Sequence, residues 1–140
     1  MLTTILALTG GLLYFSWNLA VGHELYQLAT KHAQLNYNLF LINAFHFVWM
    51  PSYIAVAIFS NGQRISSTGV AALIGFYMLY AGINHTAFPA KALKSIEQNK
   101  TARLGDYIGE FFLILFSPIG VWVLQPRLNR IAERLDGESE

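Results

Sequence analysis

The sequence contains no cysteine and few charged residues. Only 12% of its 140 residues are charged and 54% are hydrophobic, whereas about 25% of the residues in soluble domains are charged. The missing cysteines exclude disulfides, thiolate nucleophiles, cysteine-ligated zinc and iron–sulfur clusters. The net charge of +1 and the lack of a basic stripe interleaved with aromatic residues argue against a nucleic-acid partner.

The scarce charges leave four long, largely apolar stretches. About 20 apolar residues are enough for a helix to cross the hydrocarbon core of a bilayer. The sequence therefore predicts an all-α integral membrane protein, an antiparallel four-helix transmembrane bundle in a single domain, residues 1–140, with a multi-pass membrane location. The predicted spans are residues 2–24, 38–60, 68–88 and 107–125, followed by a short amphipathic C-terminal tail at 126–136.

The tail and two prolines give finer predictions. Arginines and aliphatic residues of the tail fall on separate helical stripes, which predicts arginines in solvent or at lipid headgroups. The stripes are Arg127, Arg130 and Arg134 against Leu128, Ile131 and Leu135. Pro51 and Pro118 predict bends, since proline cannot donate a backbone hydrogen bond. Basic residues are nearly balanced between the two predicted sides, and the basic tail slightly favours cytoplasmic termini.

Polar residues of the four spans fall toward the same side of such a bundle. The end of helix 1, the start of helix 2, the end of helix 3 and the start of helix 4 lie together in an up-down-up-down arrangement. The candidate ligand-binding residues on this side are Asn18, Asn43, His46, Asn84, His85 and Glu110. Polar groups at membrane depth usually face other helices, a partner or a cavity. His46 is therefore expected to point inward, toward a polar partner on another helix.

Three classes of function compete for these residues. The first is a non-catalytic membrane subunit or binding protein for a partner, a lipid or a small ligand, in which the polar residues form interhelical hydrogen bonds. The second is a haem- or metal-binding redox protein, or an enzyme acting on a lipophilic substrate, since neutral imidazoles ligate haem iron, zinc and non-haem iron. Its candidate metal ligands are His23, His46, His85 and Glu110, although no H-x-x-H or H-E-x-x-H spacing supports them.

The third class is a small proton-coupled transporter working as a dimer, with Glu110 or His46 as the proton carrier. The expected partners are the lipid bilayer and other membrane subunits or a second copy of the chain. The sequence decides neither whether the protein is an enzyme nor whether it binds a cofactor.

Overall fold

The computed structural model describes residues 2–29, 33–49 and 69–137. These residues form five α-helices and contain no strand, so the all-helical part of the fold prediction is confirmed for them. The helices are α1 (Leu2–Ala29), α2 (Tyr37–Val48), α3 (Gly69–Gln98), α4 (Leu104–Leu115) and α5 (Ser117–Gly137).

The chain divides into two compact units, each with its own buried residues. Unit 1 comprises Met1–Leu19 and Asn36–His85, and unit 2 comprises Ala20–Leu35 and Thr86–Glu140. The bulkiest fully buried residues of unit 1 are Phe40, His85, Asn18 and Asn43, and those of unit 2 are Leu93, Ile114, Leu124, Pro89 and Ser95. The single domain expected over residues 1–140 stays a prediction.

The membrane-spanning architecture predicted from the sequence is wrong. Among the described residues, no helix combines the length and the apolarity needed to cross a membrane. The transmembrane four-helix bundle, the multi-pass location and the orientation of its termini are corrected accordingly. The first predicted span, residues 2–24, lies within α1, and the second begins one residue after the start of α2, while residues 50–60 lie outside the described part of the chain.

The third predicted span continues as a helix well beyond its expected end. α3 passes through Pro89 and ends at Gln98, ten residues beyond the predicted end at residue 88. Proline removes one helical hydrogen bond, a cost that tertiary packing can offset. Here the residues after the proline supply that packing, because Ala90, Ala92, Leu93 and Ile96 are all buried.

The fourth predicted span is two helices. α4 ends at Leu115, and Phe116 leaves the helical conformation with φ −97° and ψ 48° before α5 begins at Ser117. Pro118 is the second residue of α5, where its fixed φ suits a first turn and its missing N–H costs no hydrogen bond. The bend predicted at Pro118 is thus a helix break two residues earlier, while Pro51 lies outside the described residues.

Side-chain hydrogen bonds to the backbone hold two of the connections, the one before α2 and the one before α4. The Asn36 carboxamide oxygen accepts a hydrogen bond from the N–H of Leu39 at 3.0 Å and so caps α2. After α3, Asn99 takes a left-handed φ of 52°, and the Ser95 hydroxyl accepts from the N–H of Ala102 at 2.9 Å. These bonds hold the short turn that leads into α4.

Candidate functional site

Two neighbouring helices of unit 1 are joined by a polar triad, Asn43, Tyr77 and Asn84. The carboxamide of Asn43 on α2 donates to the Oδ1 of Asn84 on α3 at 2.9 Å. The hydroxyl of Tyr77, two turns earlier on α3, donates to the Oδ1 of Asn43 at 3.1 Å. Asn43 is fully buried, and both ends of its carboxamide are used by these bonds. These hydrogen bonds satisfy the buried polar groups and link α2 to α3, so the triad has a structural role.

His46 lies beside the triad and is half-buried. Its Nδ1 is 2.7 Å from the carbonyl oxygen of Ile42, one turn earlier on the same helix. Its ring meets the Tyr77 ring edge-on, with centroids 5.2 Å apart and an interplanar angle of 85°. The expected polar partner on another helix is therefore corrected: the hydrogen bond is local to α2, and α3 contributes an aromatic ring.

His85 is buried between two aromatic rings of unit 1. The Phe15 ring is stacked on the imidazole with centroids 4.8 Å apart, and the Phe40 ring with centroids 5.4 Å apart. Burial lowers the pKa of His85 to about 4, against the opposing effect of a hydrogen bond with the Phe15 backbone. The side chain is accordingly a neutral imidazole at pH 7 and serves as part of an aromatic core.

Asn18 is buried in this unit together with Asn43 and His85. Its Nδ2 donates to the carbonyl oxygen of Tyr14 at 3.1 Å, one turn back on α1. Within the described residues, its Oδ1 has no hydrogen-bond partner. The side chain is fully buried, and no ligand-binding role of Asn18 is tested by these contacts, so that role stays a prediction.

Glu110 belongs to unit 2 and has charged neighbours there. Its Oε1 is 2.8 Å from the Arg127 guanidinium and 3.3 Å from the Lys94 ammonium. Arg127 also binds Glu97 through both carboxylate oxygens at 2.7 Å, and Lys94 reaches Glu97 at 3.3 Å. The four residues Lys94, Glu97, Glu110 and Arg127 form a closed cluster with equal numbers of positive and negative charges, here called the charged cluster.

The electrostatics of the charged cluster favour the ionised state of every member whose pKa is shifted. Burial acts to raise the pKa of Glu110, but the hydrogen bonds from Arg127 and Lys94 outweigh it, and the pKa lies below the usual value. Burial likewise acts to lower the pKa of Lys94, and its two carboxylate partners raise it instead. A carboxylate held in its charged form by two cations is not poised to exchange a proton near neutral pH.

Sequence reasoning missed three members of this cluster. Arg127 had been placed with Arg130 and Arg134 on a solvent-facing stripe, and this prediction is wrong for Arg127, whose guanidinium is held by two carboxylates. Arg130 is exposed and Ile131 is buried, as the stripes predicted. The Ser-Pro pair at residues 117–118 is the sequence signal that could have predicted the cluster. A helix break at this pair lets the chain turn back, so that Arg127 lies next to Glu110.

The predicted metal ligands have different surroundings within their own units. His23 is exposed in unit 2, His46 and His85 have separate neighbours in unit 1, and Glu110 lies in the charged cluster. No group of three His, Cys, Asp or Glu side chains that could hold a metal ion occurs within residues 2–29, 33–49 and 69–137. The haem and metal hypotheses gain no support here and stay predictions. The transporter hypothesis likewise stays a prediction.

Comparisons with known proteins found no match that could assign a role to these residues. No protein-family model matches the chain, and neither curated proteins nor solved structures gave a match.

Proposed function

We propose that the protein is a non-catalytic helical binding subunit, and that an apolar helix of a different polypeptide packs against the first half of α3. The single observation that carries the proposal is a row of exposed apolar side chains on that helix. Leu73, Phe76, Tyr80 and Ile83 are 69%, 71%, 46% and 50% exposed. These four residues are called the α3 seam.

The spacing of the α3 seam fits a helical partner. Its members are separated by three, four and three residues, the repeat that places side chains on one line facing a second helix. Leu79, which is 62% exposed, widens the same apolar surface. Monomeric proteins rarely expose contiguous apolar patches of this kind unless something binds there.

The polar residues support a binding role over catalysis. The triad on α2 and α3 is engaged in its own hydrogen bonds, and the charged cluster pairs its carboxylates with its cations. Polar groups face inward and large apolar groups face outward on the same helix, since Asn84 binds Asn43 while Ile83 beside it is half exposed. This arrangement suits a surface that another helix covers.

Site-specific photo-crosslinking in the source cells tests the proposal. A benzophenone amino acid placed at Leu79 of the full chain should give one stoichiometric adduct, mapped to an apolar helical segment of another polypeptide. Adding Leu73→Gln and Phe76→Gln should reduce the yield at least tenfold, because the seam no longer excludes water. The control is the same crosslinker at Asn38, which is exposed on α2 outside the seam.

Three results would contradict the proposal. They are an adduct only to lipid or to a small molecule, an adduct only to a second copy of this chain, and equal yields from positions 79 and 38. Circular dichroism of each variant establishes that the loss of an adduct does not reflect loss of the fold.

A further inference from the structure

The α4–α5 connection is a tight corner in unit 2. A Cβ added to Gly120 would overlap the backbone of Leu113, so the two helices approach each other there at backbone distance. Glu110 and Arg127, seventeen residues apart, are in contact across the same corner. The chain therefore turns back on itself at Phe116, and a glycine at 120 is what lets it do so.

Most of the large apolar side chains around the corner face outward. Its inward-facing residues are Glu110, Ile114 and Leu124, which are 7%, 1% and 2% exposed. Residues 111–124 contain no charged side chain. The exposed large side chains that follow one another around the corner are Leu104 (68%), Ile108 (50%), Phe112 (50%), Leu115 (43%), Phe116 (60%), Ile119 (74%), Trp122 (83%) and Val123 (48%). This set is called the corner surface.

α4 places an open groove beside this surface. Gly105 and Gly109 are one turn apart, and a Cβ added to either would meet nothing within 4 Å. Ile108 and Phe112 stand next to them as ridges at the same four-residue spacing. A ridge beside a groove of equal pitch is self-complementary, because the ridge of one copy fits the groove of another when two copies are related by a two-fold axis.

We infer that the corner surface is a homodimer interface, in which α4 of one copy crosses α4 of a second copy near Gly109. Aromatic side chains cover about 150–250 Å² each when fully buried and aliphatic ones somewhat less, so the eight at these exposures offer on the order of 800 Å². That is about the area that each partner contributes to a stable protein–protein interface. The inference concerns a different surface from the α3 seam and does not depend on the function proposed above.

The substitution Gly109→Leu tests the dimer without disturbing the fold of the monomer. The site is open in the monomer, so the leucine is tolerated there, and it replaces a glycine inside a helix, which favours the helical conformation. In the dimer the same leucine fills the groove. Analytical ultracentrifugation of the purified full chain should show a dimer that Gly109→Leu weakens at least tenfold in Kd, with thermal stability of the monomer retained. Gly11→Leu, at an equally open position of α1, should leave the dimer unchanged.

The absence of native cysteines provides a second, direct measurement. With Gly109→Cys, two thiols at a helix crossing fall within the Cα separation that a disulfide requires, about 4.4–6.8 Å. Mild oxidation should convert this variant to a covalent dimer, and Trp122→Gln in the same chain should slow the conversion at least tenfold. Gly11→Cys should form no covalent dimer under the same oxidation.

Several outcomes would overturn the inference. One is a wild-type chain that stays monomeric at micromolar concentration. This outcome counts against the inference also when the monomer binds lipid vesicles or another polypeptide through the corner surface. Others are a dimer indifferent to both Gly109→Leu and Trp122→Gln, and equal disulfide formation from positions 11 and 109. A failed α3-seam crosslink leaves all of these readouts unaffected, so the two proposals fail separately.

Discussion

Unit 1 and unit 2 stabilise their buried polar groups in different ways. Unit 1 buries neutral groups, the Asn43–Asn84–Tyr77 triad and the His85 imidazole. Unit 2 instead surrounds the Glu110 carboxylate with two cations, Lys94 and Arg127, which also pair with a second carboxylate, Glu97. A neutral polar group needs only its hydrogen bonds when buried, whereas a charge also needs a counter-charge.

The difference predicts where each unit is sensitive. Unit 1 should respond to protonation, because a charge on His85 would be placed in an aromatic core. Unit 2 should respond to the loss of either cation and, through its partly exposed groups, to salt. Three substitutions test this contrast.

The largest effect is expected from Arg127→Met in the charged cluster. The substitution leaves Glu110, whose side chain is 9% exposed, with Lys94 as its remaining cation in the cluster, and it also removes the paired hydrogen bonds to Glu97. Breaking a buried pair by removing one partner costs about 3–5 kcal/mol, and partial exposure places this case near about 3 kcal/mol of unfolding free energy. Urea denaturation of the full chain measures it.

Arg130→Met is the matched control for that measurement, since Arg130 is exposed one turn away on α5. It should change stability by less than about 0.5 kcal/mol. Equal losses from the two variants would mean that the charged cluster contributes nothing beyond general surface charge.

The pH dependence of stability should be the next largest effect and should come from His85. Its folded pKa of about 4 lies below its ordinary value of 6.5, so the unfolded chain binds the proton first. Stability is fully present above pH 6.5 and falls as the pH approaches 4, by about 2 kcal/mol between pH 7.5 and pH 5. His85→Phe should abolish this slope, as followed by urea denaturation at each pH.

Two checks sharpen the pH experiment. The slope should survive His23→Gln, because His23 is exposed. Glu110 has a lowered pKa, so its stabilisation is present above its unfolded pKa and is lost as the pH falls through the folded pKa, mainly below the His85 window. A slope between pH 7.5 and 5 that persists in His85→Phe would contradict the assignment.

The smallest of the three effects is expected from Asn43→Leu in the triad. It leaves the Tyr77 hydroxyl and the Asn84 carboxamide without Asn43, at a cost of about 1–2 kcal/mol, because water can reach Tyr77, which is 37% exposed. Unlike the Arg127 effect, this loss should be independent of salt. Asn38→Leu on the exposed side of α2 should be close to neutral, and a loss as large as that of Asn43→Leu would show that the triad is not the cause.

The sequence by itself determined the helical class and the inward positions of several polar residues. Asn43 and His85, which the sequence placed among the inward-facing polar candidates, are buried, and Asn36 caps the start of α2. These are local properties, since helix periodicity and capping depend on residues within one or two turns. The missing cysteines likewise excluded whole chemistries without any structure.

Only the tertiary structure decided the remainder. Local rules ended the third helix before Pro89, but the burial of Leu93 and Ile96 carries α3 through the proline. The same rules joined residues 107–125 into one span, although the close approach of Gly120 to Leu113 separates them into two helices and brings Arg127 to Glu110. An apolar run has the same composition whether it is straight or folded back, and the packing that distinguishes the two involves residues far apart in the chain.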